Sequence, residues 1–339
     1  MTAKLPLDPR PAFRAAAPVR LDFAGGWTDV PPFSAREGGA VVAAAVRLFA
    51  RAEVRLGGTG FHLISEDLRD EVHVRDSTGL VSDGRLGLLK AGLRMLPVGA
   101  CTLITRSEAP AGSGLGSSGA LDVALVAALS AARGESPDPV DIAEQACHLE
   151  AVEAGIPGGR QDQFASSHGG FLRLDFKDPD AEVRRLPLDP ELADDLSRRT
   201  VLCYTSASRF SGDTIDRVMQ AYQRGEPVVA RALHGLRAVA ESMETALASG
   251  DVAGVGRLLS ENWTHQQALD PRMRTDEMAR LEQAVLAAGA LGGKAAGSGA
   301  GGCMFFLTPD DPGDVIEAAQ RCGVTILPVR WAMYGVRQC

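Results

Sequence analysis

Short runs of alternating or β-branched apolar residues open the chain. Residues 19–23, 41–48, 52–56, 61–65 and 71–74 each read as strands, parted by glycine or charge. A helical apolar repeat covers 86–96, and 101–105 returns to strand. A glycine- and serine-rich run, 110–120, then leads straight into an apolar helix predicted at 117–133. Pro139 opens a further helix, predicted over 139–154, which the glycines of 155–159 end, and 169–176 reads as a strand. Beyond residue 180 the pattern changes. After a strand at 200–204, helical periodicity fills 213–223, 228–249, 252–267 and 275–288. Strand patterns come back at 294–296, 303–307, 325–329 and 331–336, around a helix at 312–322.

This order predicts an α+β chain of two lobes. An N-terminal mixed α/β lobe spans 18–180 and a helix-rich C-terminal α+β lobe spans 181–339, preceded by a loose proline-containing arm at 1–17. At 339 residues, with 45% hydrophobic and 23% charged residues, the chain has the makings of a large soluble core. The formal charge of -8 supplies no basic surface for nucleic acid. The apolar run at 120–132 is interrupted by Asp122 and is too short to span a bilayer, and 1–17 lacks the apolar stretch of a secretory signal. Six scattered cysteines without a CxxC pair read as reduced thiols, so a cytoplasmic protein is expected.

Candidate chemistry begins with Pro110, Gly112, Ser113, Gly114, Leu115, Gly116, Ser117 and Ser118. The glycines permit close backbone approach, and the following helix offers unpaired amides and a positive dipole end to an anion. Ser117 and Ser118 can cap that helix or reach a phosphate-bound magnesium. No lysine follows the glycines, so the loop is not a Walker A motif. Gly114, Gly116 and Gly119 also satisfy GxGxxG after a strand, with Glu135 and Asp138 about 20 residues on, which keeps a dinucleotide site and an NAD-dependent oxidoreductase open. A second such spacing at Gly297, Gly299 and Gly302 suits a phosphate site between two lobes better.

Arg20 lies on a strand, and Asp29 follows a glycine turn through Gly25, Gly26, Trp27 and Thr28. Asp29 reads either as an acceptor for polyol hydroxyls or as a plain turn residue, and Trp27 equally as core. Glu150 and Glu153, at i, i+3 spacing, share a helical face, where solvated surface is the competing reading. Asp162, framed by Gln161 and Gln163 after Gly159, is harder to explain as surface. Arg209 can touch a phosphate or simply precede a helix. Lys294 reads at least as well as a solvated strand-end residue, and His148 as an ordinary helix residue rather than a ligand.

Taken together, 17–29, 110–120, 149–163 and 293–303 resemble the GHMP small-molecule kinases. Within them, the AGGWTD segment at 24–29, Pro31-Pro32 and the GRQDQ segment at 159–163 resemble the branch that phosphorylates the anomeric hydroxyl of heptose 7-phosphate or fucose. The resemblance implies a two-lobed fold with the active site between the lobes. ATP would lie against the loop from Pro110 to Ser118 and against Gly297 and Gly299, with Mg2+ held by Ser118 and Glu150. Asp162 would face the acceptor hydroxyl, with Arg20 beside it and the transferring phosphoryl group. Gly26, Thr28, Asp29, Gly159, Gln161 and Arg209 would surround the sugar. Other acceptors of the family, galactose or mevalonate among them, stay open, as does a homodimer. Arg20 beside Asp162 is expected to depress the Asp162 pKa.

Overall fold

The computed structural model describes residues 10–205 and 212–338. Its N-terminal part runs β1 (Ala12–Ala24), α1 (Phe33–Glu37), β2 (Gly39–Leu56), β3 (Phe61–Ser65), β4 (Asp70–Val74), α2 (Gly87–Met95), β5 (Cys101–Ser107) and α3 (Ser117–Ala132). It continues with α4 (Pro139–His148), α5 (Gln161–His168), β6 (Phe171–Lys177), β7 (Asp180–Arg185) and α6 (Pro190–Arg199). There follow β8 (Thr200–Tyr204), α7 (Gly212–Gln223), α8 (Pro227–Ser249), α9 (Val252–Leu269) and α10 (Asp276–Ala287). The chain closes with β9 (Gly292–Ala295), β10 (Cys303–Leu307), α11 (Gly313–Arg321), β11 (Thr325–Leu327) and β12 (Arg337–Gln338). The α+β reading stands, on two sheets.

An eight-stranded sheet is built around the order β12-β1-β2-β5-β3-β4, with β6 joined to β2 and β7 to β6. The second sheet, β11-β8-β10-β9, has four strands, all antiparallel. In the larger sheet the pairings are antiparallel except β3 with β5. A dinucleotide fold needs a largely parallel sheet at its glycine turn, so this topology removes that reading. The two acids that kept it open have other work: Asp138 caps α4 through the amides of Val140 and Asp141, and Glu135 pairs with Arg133.

Four expectations need correcting. The arm is not loose from residue 12 onward, because Ala12 to Ala17 pair with Arg55 to Ala50 as the start of β1. Residues 41–48 and 52–56 form one strand. A bulge after Pro18, where Val19 pairs Val46 and Pro18 pairs Phe49, turns β2 so that its first half meets β6 and its second half β5. The lobe boundary is not a clean cut near 180. β7 adds to the larger sheet, and the chain returns to it through β12 and through Trp331, which bridges to Val46. Accordingly 331–336 is not a strand; Trp331 packs its ring on Phe171 and Phe23.

One core therefore runs across both sheets, taking in Phe23, Phe171, Phe305 and Trp331. α3 is apolar on nearly every side because it is buried on nearly every side, lying against β1 and β2 with α4 and α5 around it. That burial fixes the helix start. Among the described residues no helix is long and apolar enough to cross a membrane.

Candidate active site

The two glycine-rich segments meet backbone on backbone. A side chain on Gly114 would place its Cβ 2.4 Å from the Ala296 carbonyl oxygen, and one on Gly297 would lie 2.5 Å from that of Gly114. Both glycines have positive φ, so only glycine allows the contact. The Cys303 amide donates to the Ser113 carbonyl at 2.8 Å and locks the crossing. Beyond it α3 starts at Ser117 after a left-handed Gly116, with no side-chain cap. Its first amides are left for a ligand, beside the Ser117 and Ser118 side chains.

A cleft of about 1100 Å³, open solvent included, lies in front of this helix start. Arg20, Trp27, Asp29, Gly112, Ser113, Gly114, Gly116, Ser117, Ser118, Glu150, Gly159, Gln161, Asp162 and Gly297 are in its walls. Of the residues expected there, Gly26, Thr28, Pro110, Leu115 and Gly299 are not. Thr28 closes its turn, donating to the Gly25 carbonyl and accepting from the Ala40 amide. Leu115 is fully buried and offers its carbonyl to the Arg20 amide, while Gly299 faces Met273. Arg209 lies outside the described residues.

Arg20 is the hub. Its backbone is tied to Leu115, one guanidinium nitrogen donates to the Gly114 carbonyl at 2.6 Å, and another lies 2.7 Å from Asp162 Oδ1. The second pair places the arginine between the glycine loop and the acid. Asp162 enters from the first turn of α5 through a gap that two glycines leave: added Cβ atoms on Gly116 and Gly119 would stand 2.9 Å from its Cγ and 2.6 Å from its Cβ. The expected depression of its pKa is not what the site produces. Burial pushes the Asp162 carboxyl up by more than Arg20 pulls it down, and the net direction is upward.

Asp29 is no plain turn residue. It is buried, accepts from the Gln161 amide at 3.0 Å and from the Gln161 side chain at 3.2 Å, and presses on Gly159, where a Cβ would lie 2.0 Å from Oδ2. Burial raises its pKa to about 6. Trp27 beside it is held at φ 81, an unfavourable left-handed conformation for a large side chain.

The helix expected over 139–154 ends at His148 and passes into a wide π turn, Leu149–Glu153. That turn breaks the shared face of the two glutamates. Glu150 points into the cleft and accepts from the Gln163 side chain at 2.6 Å, whereas Glu153 goes to Arg94 and His148. Burial raises the Glu150 pKa to about 7, against the hydrogen bonds from Ser118 and Gln163 that favour its charged form. Asp122, one turn beyond Ser118, is fully buried and raised well above the carboxylate range by burial and by Glu150 and Asp162.

Lys294 is neither solvated nor at the phosphate wall. It is fully buried, 2.7 Å from Asp22 Oδ2 and donating to the Asp22 carbonyl at 2.8 Å, while Asp22 Oδ1 accepts from the Gly297 amide at 3.0 Å. This pair ties β1 to the second glycine loop. Asp22, Gln163 and Asp122 went unrecognised in the sequence. The signal for the Asp22–Lys294 pair was an acid two residues after Arg20 on β1 and a single lysine inside the otherwise uncharged β9.

Residues 85–170 match the GHMP kinases N terminal domain, and residues 243–325 match the GHMP kinases C terminal domain. The chain is 28% identical over 318 residues to the D-glycero-alpha-D-manno-heptose 7-phosphate kinase of Campylobacter jejuni, covering 91% of this chain and 93% of that protein. It is 27% identical over 315 residues to the bifunctional fucokinase/GDP-fucose pyrophosphorylase of Arabidopsis thaliana, covering 86% of this chain and 29% of that longer protein. A D-glycero-D-manno-heptose 1-phosphate kinase from Bacteroides thetaiotaomicron superposes with a TM-score of 0.78 at 24% identity, covering 96% of this chain and 98% of that one. Lactococcus lactis galactokinase superposes at 0.79 and 19% identity, covering 97% and 96%. At those identities the two structures speak to the fold. With both domains matched in order, on the fold those kinases share, the chain belongs to the GHMP kinases.

Proposed function

We propose that this kinase transfers the γ-phosphoryl group of ATP to a sugar hydroxyl, with the anomeric hydroxyl of a heptose 7-phosphate as the leading acceptor. The observation that carries the reading is the Arg20–Asp162 pair, 2.7 Å apart, at the mouth of an uncapped helix start built from a glycine loop. The heptose acceptor rests on the Campylobacter jejuni relative, which aligns over nearly its whole length.

Phosphoryl transfer asks a protein mainly for positioning and for charge stabilisation. The open amides of α3 and the glycine backbone take the phosphates, while Arg20, anchored at Gly114, faces the charge that develops on the transferring group. The acceptor oxygen attacks the γ-phosphorus, the bond to the ADP oxygen breaks, and the hydroxyl proton passes to the Asp162 carboxylate. Burial makes that carboxylate more basic than an exposed one, and Arg20 keeps it ionised and aimed. Asp29, held by Gln161, is placed to accept from sugar hydroxyls.

Ser118 and Glu150 suit Mg2+, because both offer hard oxygen donors to the cleft beside the helix start and Glu150 is a half-buried carboxylate with no cationic partner among the described residues. When bound, the ion neutralises phosphate charge. Phosphorus NMR of reactions with ATP and a panel of sugars and sugar 7-phosphates tests the proposal. A new anomeric phosphate signal with heptose 7-phosphate supports it; phosphate appearing only on fucose, galactose or mevalonate moves the acceptor, and no transfer to any of them overturns it.

A further inference from the structure

The hairpin of β3 and β4 stands at the outer edge of the eight-stranded sheet, and none of its residues lines the cleft. His62 and His73 are direct cross-strand partners, and Glu71, two residues before His73, projects from the same face. The two imidazoles stack with centroids 3.9 Å apart and planes at 15°. Glu71 Oε1 lies 3.2 Å from His73 Nε2 and 3.3 Å from His62 Nε2, and the three donor atoms are all within 4.8 Å of one another. Hydrogen bonding accounts for Glu71 with His73. His62 Nε2 is hidden from solvent and, apart from Glu71 at 3.3 Å, has no hydrogen-bond partner among the described residues.

We propose that His62, Glu71 and His73 bind one divalent transition-metal ion of the imidazole-preferring class, Zn2+, Ni2+ or Cu2+. Donors about 2.1 Å from a tetrahedral ion stand about 3.4 Å apart, close to both nitrogen–oxygen spacings here. Coordination requires both rings to turn about their soft χ2 torsions and leave the parallel stack, so that their in-plane lone pairs converge. Water completes the shell. Two nitrogens and one carboxylate select against Mg2+, which prefers oxygen donors, so the site is chemically distinct from the nucleotide's metal. Binding would clasp an edge hairpin that pairs with the rest of the sheet only through β3.

Titration calorimetry of ZnCl2 into the full chain, in buffer containing Mg2+, tests this. The expected result is one Zn2+ per chain, weakened about tenfold or more by either His62→Ala or His73→Ala, a loss at least as large as outer-shell changes produce. Zn2+ should also raise the melting temperature of the wild type but not of His73→Ala, whose exposed site gives it no reason to misfold. Copper-loaded wild type should show nitrogen hyperfine structure from two imidazoles. Wild type that takes up no Zn2+, or variants that bind it as tightly as wild type, overturns the proposal; the latter would point to thiols such as the exposed Cys322.

Discussion

The Lys294 ammonium lies 2.7 Å from the Asp22 carboxylate, although the two residues are 272 positions apart in sequence and neither is reached by solvent. Removing one partner leaves the other charged in a dry interior. Lys294→Met should therefore cost about 3–5 kcal/mol. Urea unfolding of Lys294→Met, Asp22→Asn and the double variant checks it: the double variant should be less destabilised than the two singles added together. Additive losses would mean that the pair is not coupled.

Asp162→Asn should lower turnover by about 10²–10⁴-fold, the range for losing a positioned proton acceptor. Nucleotide affinity should stay near wild type, since the glycine backbone and the start of α3 are untouched. A coupled ADP assay with a separate ATP binding titration tells these apart. Near-normal turnover would remove Asp162 from the reaction.

Gly119→Ala offers a sharper test of how Asp162 is placed. By helix propensity alone, alanine should add about 1 kcal/mol of stability. Its Cβ would stand 2.6 Å from Asp162 Cβ, so α5 must shift. A displacement near 1 Å costs about 10²-fold in rate. The expected variant folds and binds ATP but turns over slowly; full activity would show that Asp162 tolerates movement.

The raised Glu150 pKa has a pH signature. Its ordinary value is 4.5 and its folded value about 7, so between these the folded state holds more protons than the unfolded one. Linkage then makes unfolding free energy fall as pH rises through that window, by up to about 1.4 kcal/mol per pH unit for one group. Metal-free protein should lose stability from pH 5 to 7, and Glu150→Gln should lose less. Urea midpoints at four pH values decide it, and equal slopes for the two proteins would reject the assignment.

Elements with a local signature were legible from sequence. β3 and β10 fall on their expected limits because each is a short apolar run between clear breaks, and the glycine loop announced α3. α5 was missed because Gln161, Asp162 and Gln163 give it a polar start and eight residues hold little periodicity. The π turn at Glu150 was invisible for another reason: its wide winding leaves no mark in apolar spacing. Burial of Lys294 depended on Asp22, far away in sequence, and no local pattern encodes such a partner. Arg20, Asp29, Glu150 and Asp162 were recognised as residue types at telling positions, but the sign of the Asp162 shift came from burial, which only the fold supplies.

Trp331 fills the space against Phe23 and Phe171, and its indole donates to the Ala193 carbonyl at 2.8 Å. A chain leaving the ribosome makes Phe171 160 residues before Trp331, which at 5–20 residues per second is on the order of ten seconds or more. Throughout that interval the nascent N-terminal sheet carries an uncovered aromatic face. The newborn enzyme must therefore be shielded by a chaperone, or tolerate that exposure, until the segment that carries Trp331 arrives to seal it.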